Sequence, residues 1–293
     1  MGHEDLMLGR YSDRGQQQGS LVNLGPLGLV AQTQILASHN NTLWATTGFD
    51  VKQIILGQPV RSIWKAPHGS TILSVDYLQG HLWAVVERIG GHHVDVYAQR
   101  AGRFVLVTKC PLAITTLYPA PKGRIAILSV WPHKARGSLW GRHGMITAWT
   151  LHQAVQGSMA VGMHYAYLPF AKGMRQFGLA TFPLGLAEKR SAHLFRHISQ
   201  AIIQVIPSYP VYGLTVRGVE RISSMSIHWG HVRNWPHPLQ STVTSALGPF
   251  GWSMILDGPS QGLWFNVRTH RFGPAFRCVA PPNMFPRAVE PWE

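Results

Sequence analysis

The sequence predicts an all-β fold, an array of four-stranded antiparallel meanders, and three observations carry that expectation. The first is residues 72–109, where ILSVDYL, LWAVVER, VDVYAQ and FVLVTK are separated by QGH, IGGHH and RAGR. Short runs rich in Val, Leu, Tyr and Phe, joined by tight polar or glycine-bearing breaks, are what an antiparallel meander needs. The second is recurrence. TLWATTGF, HLWAVVER, KGRIAILSVW, GSLWGR and SQGLWFNV each place a polar or glycine-bearing turn before a short strand, with an aromatic or small residue after Leu or Ile. In the first half of the chain these units return every ~35–45 residues, the interval of a four-stranded β-propeller blade. The third is punctuation: 20 prolines and 30 glycines are spread along 293 residues, which suits a turn-dense β protein and opposes a helical one.

In chain order, residues 1–20 are polar, rich in Gln and Gly, and predict a flexible tail. LVNLGPLGLV at 21–30 is apolar but broken by Gly25, Pro26 and Gly28, and reads as a strand or docking segment. A first unit spans about 31–66, with VKQIILG and VRSIW as its later strands. The 72–109 meander is the second, because a lone hairpin or meander is marginal and must pack on more of the same. A third runs over 113–152, with strands ITTLYPA, RIAILSVW and GMITAWTL and the loop PHKARGSLWGRH between the last two.

The region 160–215 is strand-like at YAYLPF and QAIIQVIPSYPVY. Between them, AEKRSAHLFRHISQAII follows i, i+3, i+4 spacing at Leu194, Phe195, Ile198 and Ile202, which predicts two or three helical turns ended by Pro207 and Pro210. GLTVRGV, RISSMSIHWG, STVTSAL, GWSMILD, LWFNVRT and AFRCVA then return to strands. The expected organisation is a tail over 1–20, one propeller-like β domain over 21–282 and a Pro-rich tail over 283–293.

Composition bounds the function. Hydrophobic residues make up 45%, so the chain can bury a core, while charged residues are 13%, roughly half the usual share. Lys and Arg number 26 against 12 Asp and Glu, a formal +14, which favours nucleic acid, anionic membrane or acidic protein partners. No acid falls between Asp95 and Glu188, a window that holds ten cations, from Arg100 to Arg175. Cys110 and Cys278 stand far apart with no CxxC or Cys/His spacing, which argues against a structural zinc site and makes a reducing, intracellular compartment (cytoplasm or nucleus) the default. The N-terminus lacks the apolar run of a signal peptide, and no stretch is long and apolar enough for a transmembrane helix.

GHLWAVVE, VDVYAQ and GRFVLV together resemble a degenerate WD40-type propeller blade. Continued through GSLWGRHGMITAWTL, and again in DGPSQGLWFNVRTHRFGPA, the pattern is similar to the propeller-like half of fungal F-box-type proteins. The resemblance extends over about 31–280 and implies a recognition module. The chain contains no Leu-Pro-led F-box helices, so what it implies is the recognition half without coupling to a ubiquitin ligase.

Few residues suggest catalysis. Gly258–Gly262 matches G-x-S-x-G, but a nucleophile elbow needs a helix after the serine, and LWFNV reads as a strand. The acid and histidine should follow in that order, whereas His270 precedes Glu290 and Glu293. His193 and His197 would share one face of the predicted helix, with Glu188 alone nearby. His92 and His93 fall in a hairpin turn and are expected at the surface. Asp76 and Asp95 alternate with apolar strand residues and read as hydrogen-bonding groups. No phosphate-binding glycine loop occurs. Of eleven tryptophans, Trp44, Trp83 and Trp264 follow Leu in similar strands and are expected between sheets; the alternative is a stacking platform for single-stranded nucleic acid.

The sequence reading is therefore a non-catalytic recognition or scaffold module with no cofactor and no metal, which binds a protein partner through face loops. The competing reading is a basic nucleic-acid-binding or ribonucleoprotein component. HWGHVRNW supplies the candidate contacts Trp229, His231, Arg233 and Trp235. Pro236 and Pro238 stiffen the loop that follows, and Trp and Arg are the side chains most enriched at binding hot spots.

Overall fold

A computed structural model describes residues 7–9, 11–23, 34–39, 42–55, 57–155, 158–172, 176–184, 193–195, 202–206, 208, 211–215, 217–222, 230–236, 244–247, 251–257 and 261–279. Apart from one short N-terminal ladder and the branched first edge of sheet 4, each sheet among the described residues is an antiparallel meander in sequence order. Sheet 1 is Gln34–His39, Thr42–Thr46, Asp50–Ile55 and Arg61–Lys65; sheet 2 is Ser70–Leu78, His81–Arg88, His93–Arg100 and Arg103–Pro111. Sheet 3 is Ile114–Ala120, Arg124–Trp131, Lys134–Gly141 and Gly144–Leu151. Sheet 4 has Tyr165–Lys172, Gln176–Pro183 and His193–Phe195, with Ala154–Val155 and Ala160–Val161 both paired to its first long strand. Sheet 5 is Ile202–Ile206, Val211–Thr215, Gly218–Ile222 and Gly230–Asn234; sheet 6 is Thr244–Leu247, Trp252–Leu256, Gln261–Asn266 and Arg271–Arg277. Among the described residues no helix is long and apolar enough to cross a membrane.

The chain divides into two compact units, residues 1–113 with 276–293, and residues 114–275. In the first unit, Trp44 and Val51 of sheet 1 share a core with Ile72, Val75, Leu82, Ala84 and Val86 of sheet 2. Trp44 stacks flat on Tyr77, with ring centroids 5.0 Å apart. In the second unit the same principle repeats. Leu128 and Leu139 of sheet 3 meet Leu168, Phe170 and Phe182 of sheet 4. Tyr167 and Leu179 of sheet 4 meet Val205 and Val211 of sheet 5. Tyr212, Leu214 and Val219 of sheet 5 meet Ile255, Leu263 and Phe265 of sheet 6. Sheet faces that alternate apolar residues bury them against the next meander, which is why repetition is required for stability.

Three expectations change. PHKARGSLWGRH is not a loop: Lys134–Gly141 is a strand paired on both sides. Its Ala135, Gly137 and Leu139 point inward while Lys134 and Arg136 are exposed, a period-two pattern. The predicted helix near 188–203 is not formed where it is described, since His193–Phe195 pairs with Leu179–Thr181 and Ile202–Ile206 is also a strand. His197 and Glu188 lie outside the described residues. Part of the segment 1–20 is paired: Met7–Leu8 ladders with Val22–Asn23, and Tyr11 bridges Gln17. Gly15 there rests on the end of the last strand of sheet 6, where an added Cβ would come within 2.5 Å of the Arg277 carbonyl oxygen.

Asp76 is partly buried on the first strand of sheet 2, opposite Trp83. Burial pushes its carboxyl up from 3.8 to about 6, against the lowering effect of the Ser74 hydroxyl, which donates to Oδ2 at 3.3 Å. A folded-state pKa above the unfolded one favours folding at low pH, and this contribution disappears as pH rises through about 6. After allowance for partial exposure the loss is about 2 kcal/mol. Urea midpoints for the native chain should therefore fall between about pH 4 and about pH 7.5 relative to those of Asp76→Asn. Parallel pH profiles for the two chains would show that Asp76 is not the titrating group.

Candidate functional site

Of the candidate contact residues, His231 and Arg233 lie on the last strand of sheet 5 and Trp235 follows its end. Gly218–Ile222 pairs with Gly230–Asn234, with Val219 opposite Arg233 and Glu220 opposite His231. Val232 is thus the extra residue of a β-bulge, and it packs against the sheet 5–sheet 6 core. Arg233 and its neighbour Asn234 are both exposed. Gly218 is required by close approach, because a Cβ there would collide with the Arg233 carbonyl oxygen.

The turn before the hairpin is built by Thr215, fully buried. Its hydroxyl accepts from the Arg217 and Gly218 backbone N–H groups at 3.3 and 3.2 Å. Trp235 closes the other end. Its indole N–H donates to the Thr215 carbonyl at 2.8 Å, and its backbone N–H donates to the Arg217 carbonyl at 3.1 Å. The ring lies 5.7 Å from Phe272. Trp235 is therefore half-buried and structural in its contacts, which corrects its expected place on an exposed loop. Trp229 lies outside the described residues. His231 is placed on the strand opposite Glu220.

Arg217, which the sequence reading passed over, is exposed in the same turn. The Trp235–Arg217 hydrogen bond joins this turn to the end of the Arg233 strand. The signal was available in TVRGVE, an Arg-Gly turn between two strand runs.

The other candidates resolve differently. Asp257 N–H donates to the Gln261 carbonyl at 2.9 Å, and Leu256 pairs with Gly262. The segment after G-x-S-x-G is thus the return strand of a hairpin, not a helix that would present a nucleophile. His92 is exposed, but His93 is half-buried, which corrects its expected surface place. Its Nε2 lies 3.2 Å from Oδ1 of Asp95, whose other oxygen is 3.2 Å from Nε of Arg88. Asp95 is fully buried, so it does serve as an internal polar anchor. Among the described residues no three His, Cys, Asp or Glu side chains gather as a metal site. Cys110 and Cys278 are buried free thiols. Trp44 and Trp83 are buried and Trp264 is half-buried.

Several solved structures share this arrangement. Hsv2 from Kluyveromyces lactis, a yeast β-propeller protein, superposes with a TM-score of 0.54 at 11% identity, over 80% of this chain and 74% of that one. The fold is propeller-like. A functionally unknown protein from Desulfotomaculum acetoxidans matches with a TM-score of 0.51 at 13% identity, over 87% and 86% of the two chains. Raptor from Chaetomium thermophilum matches with 0.52 at 9% identity, over 86% of this chain but 25% of its own length. No protein-family model and no curated protein sequence matches the chain. At such identities the likeness is one of fold, and function has to be argued from sites.

Proposed function

We propose that the chain is a non-catalytic recognition module that binds a protein partner through turns at the ends of its sheets. Arg217 and Arg233 are the contact residues, and Trp229 and His231 contribute from the same segment. The observation that carries this reading is an exposed arginine pair on a hairpin whose end is held by the Trp235 indole bonded to Thr215. Arginine is enriched at binding hot spots, and a contact that is already rigid loses less entropy on binding. The sequence likeness to the recognition half of fungal F-box-type proteins supports the same reading. Arg217→Ala/Arg233→Ala should leave the melting temperature within ~2 °C and reduce capture of a partner by at least about tenfold. Lower stability without a specific binding defect would make the pair structural.

A second reading, binding of nucleic acid, is favoured by one observation: Lys122, Lys134, Arg136 and Arg142 of the acid-free window are all exposed. It requires affinity for mixed RNA that falls steeply with salt.

A further inference from the structure

The Arg103–Pro111 strand is the outermost of sheet 2 and one of its two longest, at nine residues. Among the described residues only His93–Arg100 pairs with it, so its other edge has no partner strand. A bulge between Leu106 and Thr108 leaves Val107 as the extra residue. Val105 and Leu106 are exposed by 38% and 46%, unusual for adjacent aliphatic residues on a strand. Arg100, Arg103 and Lys109 around them are exposed, and no acid occurs in the sequence between Asp95 and Glu188. A backbone edge that no described strand pairs, apolar side chains and charge of one sign thus coincide on one strand.

We infer that this edge is a docking site for an extended acidic segment of a protein partner, which adds to sheet 2 as a further strand. Strand addition takes its affinity from main-chain hydrogen bonds and its specificity from alternate side chains. Here the guest's acids face Arg100, Arg103 and Lys109, and its apolar residues cover Val105 and Leu106. The same cations disfavour a second copy of this chain, which would bring like charges together, and Lys109, Pro111 and the bulge blunt the edge against self-pairing. Nucleic acid fits less well, because single strands need aromatic faces to stack on. The one aromatic of the strand, Phe104, already stacks on Trp64 with centroids 4.5 Å apart. This site is separate from the Arg217–Arg233 hairpin, so the two proposals fail independently.

The test uses the full chain and a labelled synthetic peptide of alternating Glu and Val, about ten residues long to match an ordinary strand. Two control peptides accompany it: one with Lys in place of Glu, and one acidic but methylated at alternate backbone nitrogens, which keeps the charge and removes main-chain donors. The acidic peptide should bind, and both controls should bind at least about tenfold more weakly. Hydrogen-exchange protection should rise over 103–109, and Arg103→Glu/Lys109→Glu should abolish binding at an unchanged melting temperature. Equal binding of the methylated peptide would reduce the contact to charge alone and overturn strand addition. So would equal binding of the Lys peptide, protection confined to other strands, stronger protection of 103–109 by an oligouridylate, or dimerisation through this edge.

Discussion

Trp83→Ala should destabilise the protein by about 3–5 kcal/mol, the range for truncating a large buried aromatic. Trp83 sits in the second strand of sheet 2, is 7% exposed, and lies between Asp76 and Ala98 on the neighbouring strands. Its indole N–H donates to the Leu78 carbonyl at 3.2 Å. Truncation therefore removes buried ring area and an indole hydrogen bond at once, and the flanking strands cannot close the space without breaking their own ladders. Trp83→Phe keeps most of the volume and should fall between the two. Urea unfolding at fixed pH measures both, and the slope should not change, since the loss is in the folded state. A cost below about 1 kcal/mol would place the ring at the surface and restore the stacking-platform reading for the Leu-Trp motifs.

What was legible in the sequence follows from how local each feature is. Sheet 2 was readable almost strand by strand, because QGH, IGGHH and RAGR interrupt strongly β-prone runs and the hairpins form between sequence neighbours. Lys134–Gly141 was hidden because KARGSLWG has two cations and two glycines, poor strand formers. Only the three-dimensional contact explains Gly137: the Trp149 ring lies where its Cβ would be. The segment near 193 imitated helical spacing over four apolar residues, yet pairing with Leu179–Thr181 prevailed, as tertiary context overrides a short periodic signal. In the candidate site, composition pointed to HWGHVRNW but not to which side chains are available. The Trp235 indole reaches a carbonyl 20 residues earlier, and no local pattern announces that bond. A second bond, from the Trp235 backbone N–H to the Arg217 carbonyl, makes Arg217 a neighbour of the Arg233 strand end.

Arg88→Met should cost about 2–3 kcal/mol, and Arg88→Met/Asp95→Val should recover most of that loss. Asp95 is a fully buried carboxylate held between Arg88 Nε and His93 Nε2, each at 3.2 Å, with the Tyr97 hydroxyl 3.5 Å from Oδ2. Burial, and after it the Asp95 charge, pushes the Tyr97 phenol up, as expected beside a desolvated anion. Removing the guanidinium takes the cation away from Oδ2 of that anion, and a stranded buried charge is far more costly than a missing pair. The Arg88 side chain is 47% exposed, so water partly compensates and the cost falls below the ~3–5 kcal/mol of a fully buried pair. Valine at 95 restores an apolar strand in line with Val94 and Val96 and removes the need for any partner. The paired comparison measures the interaction directly: a coupling of about 1.5 kcal/mol or more between the two sites is expected from urea midpoints. Additive losses, with the double variant as unstable as the sum of the singles, would mean that Arg88 contributes through its packing and not through its charge.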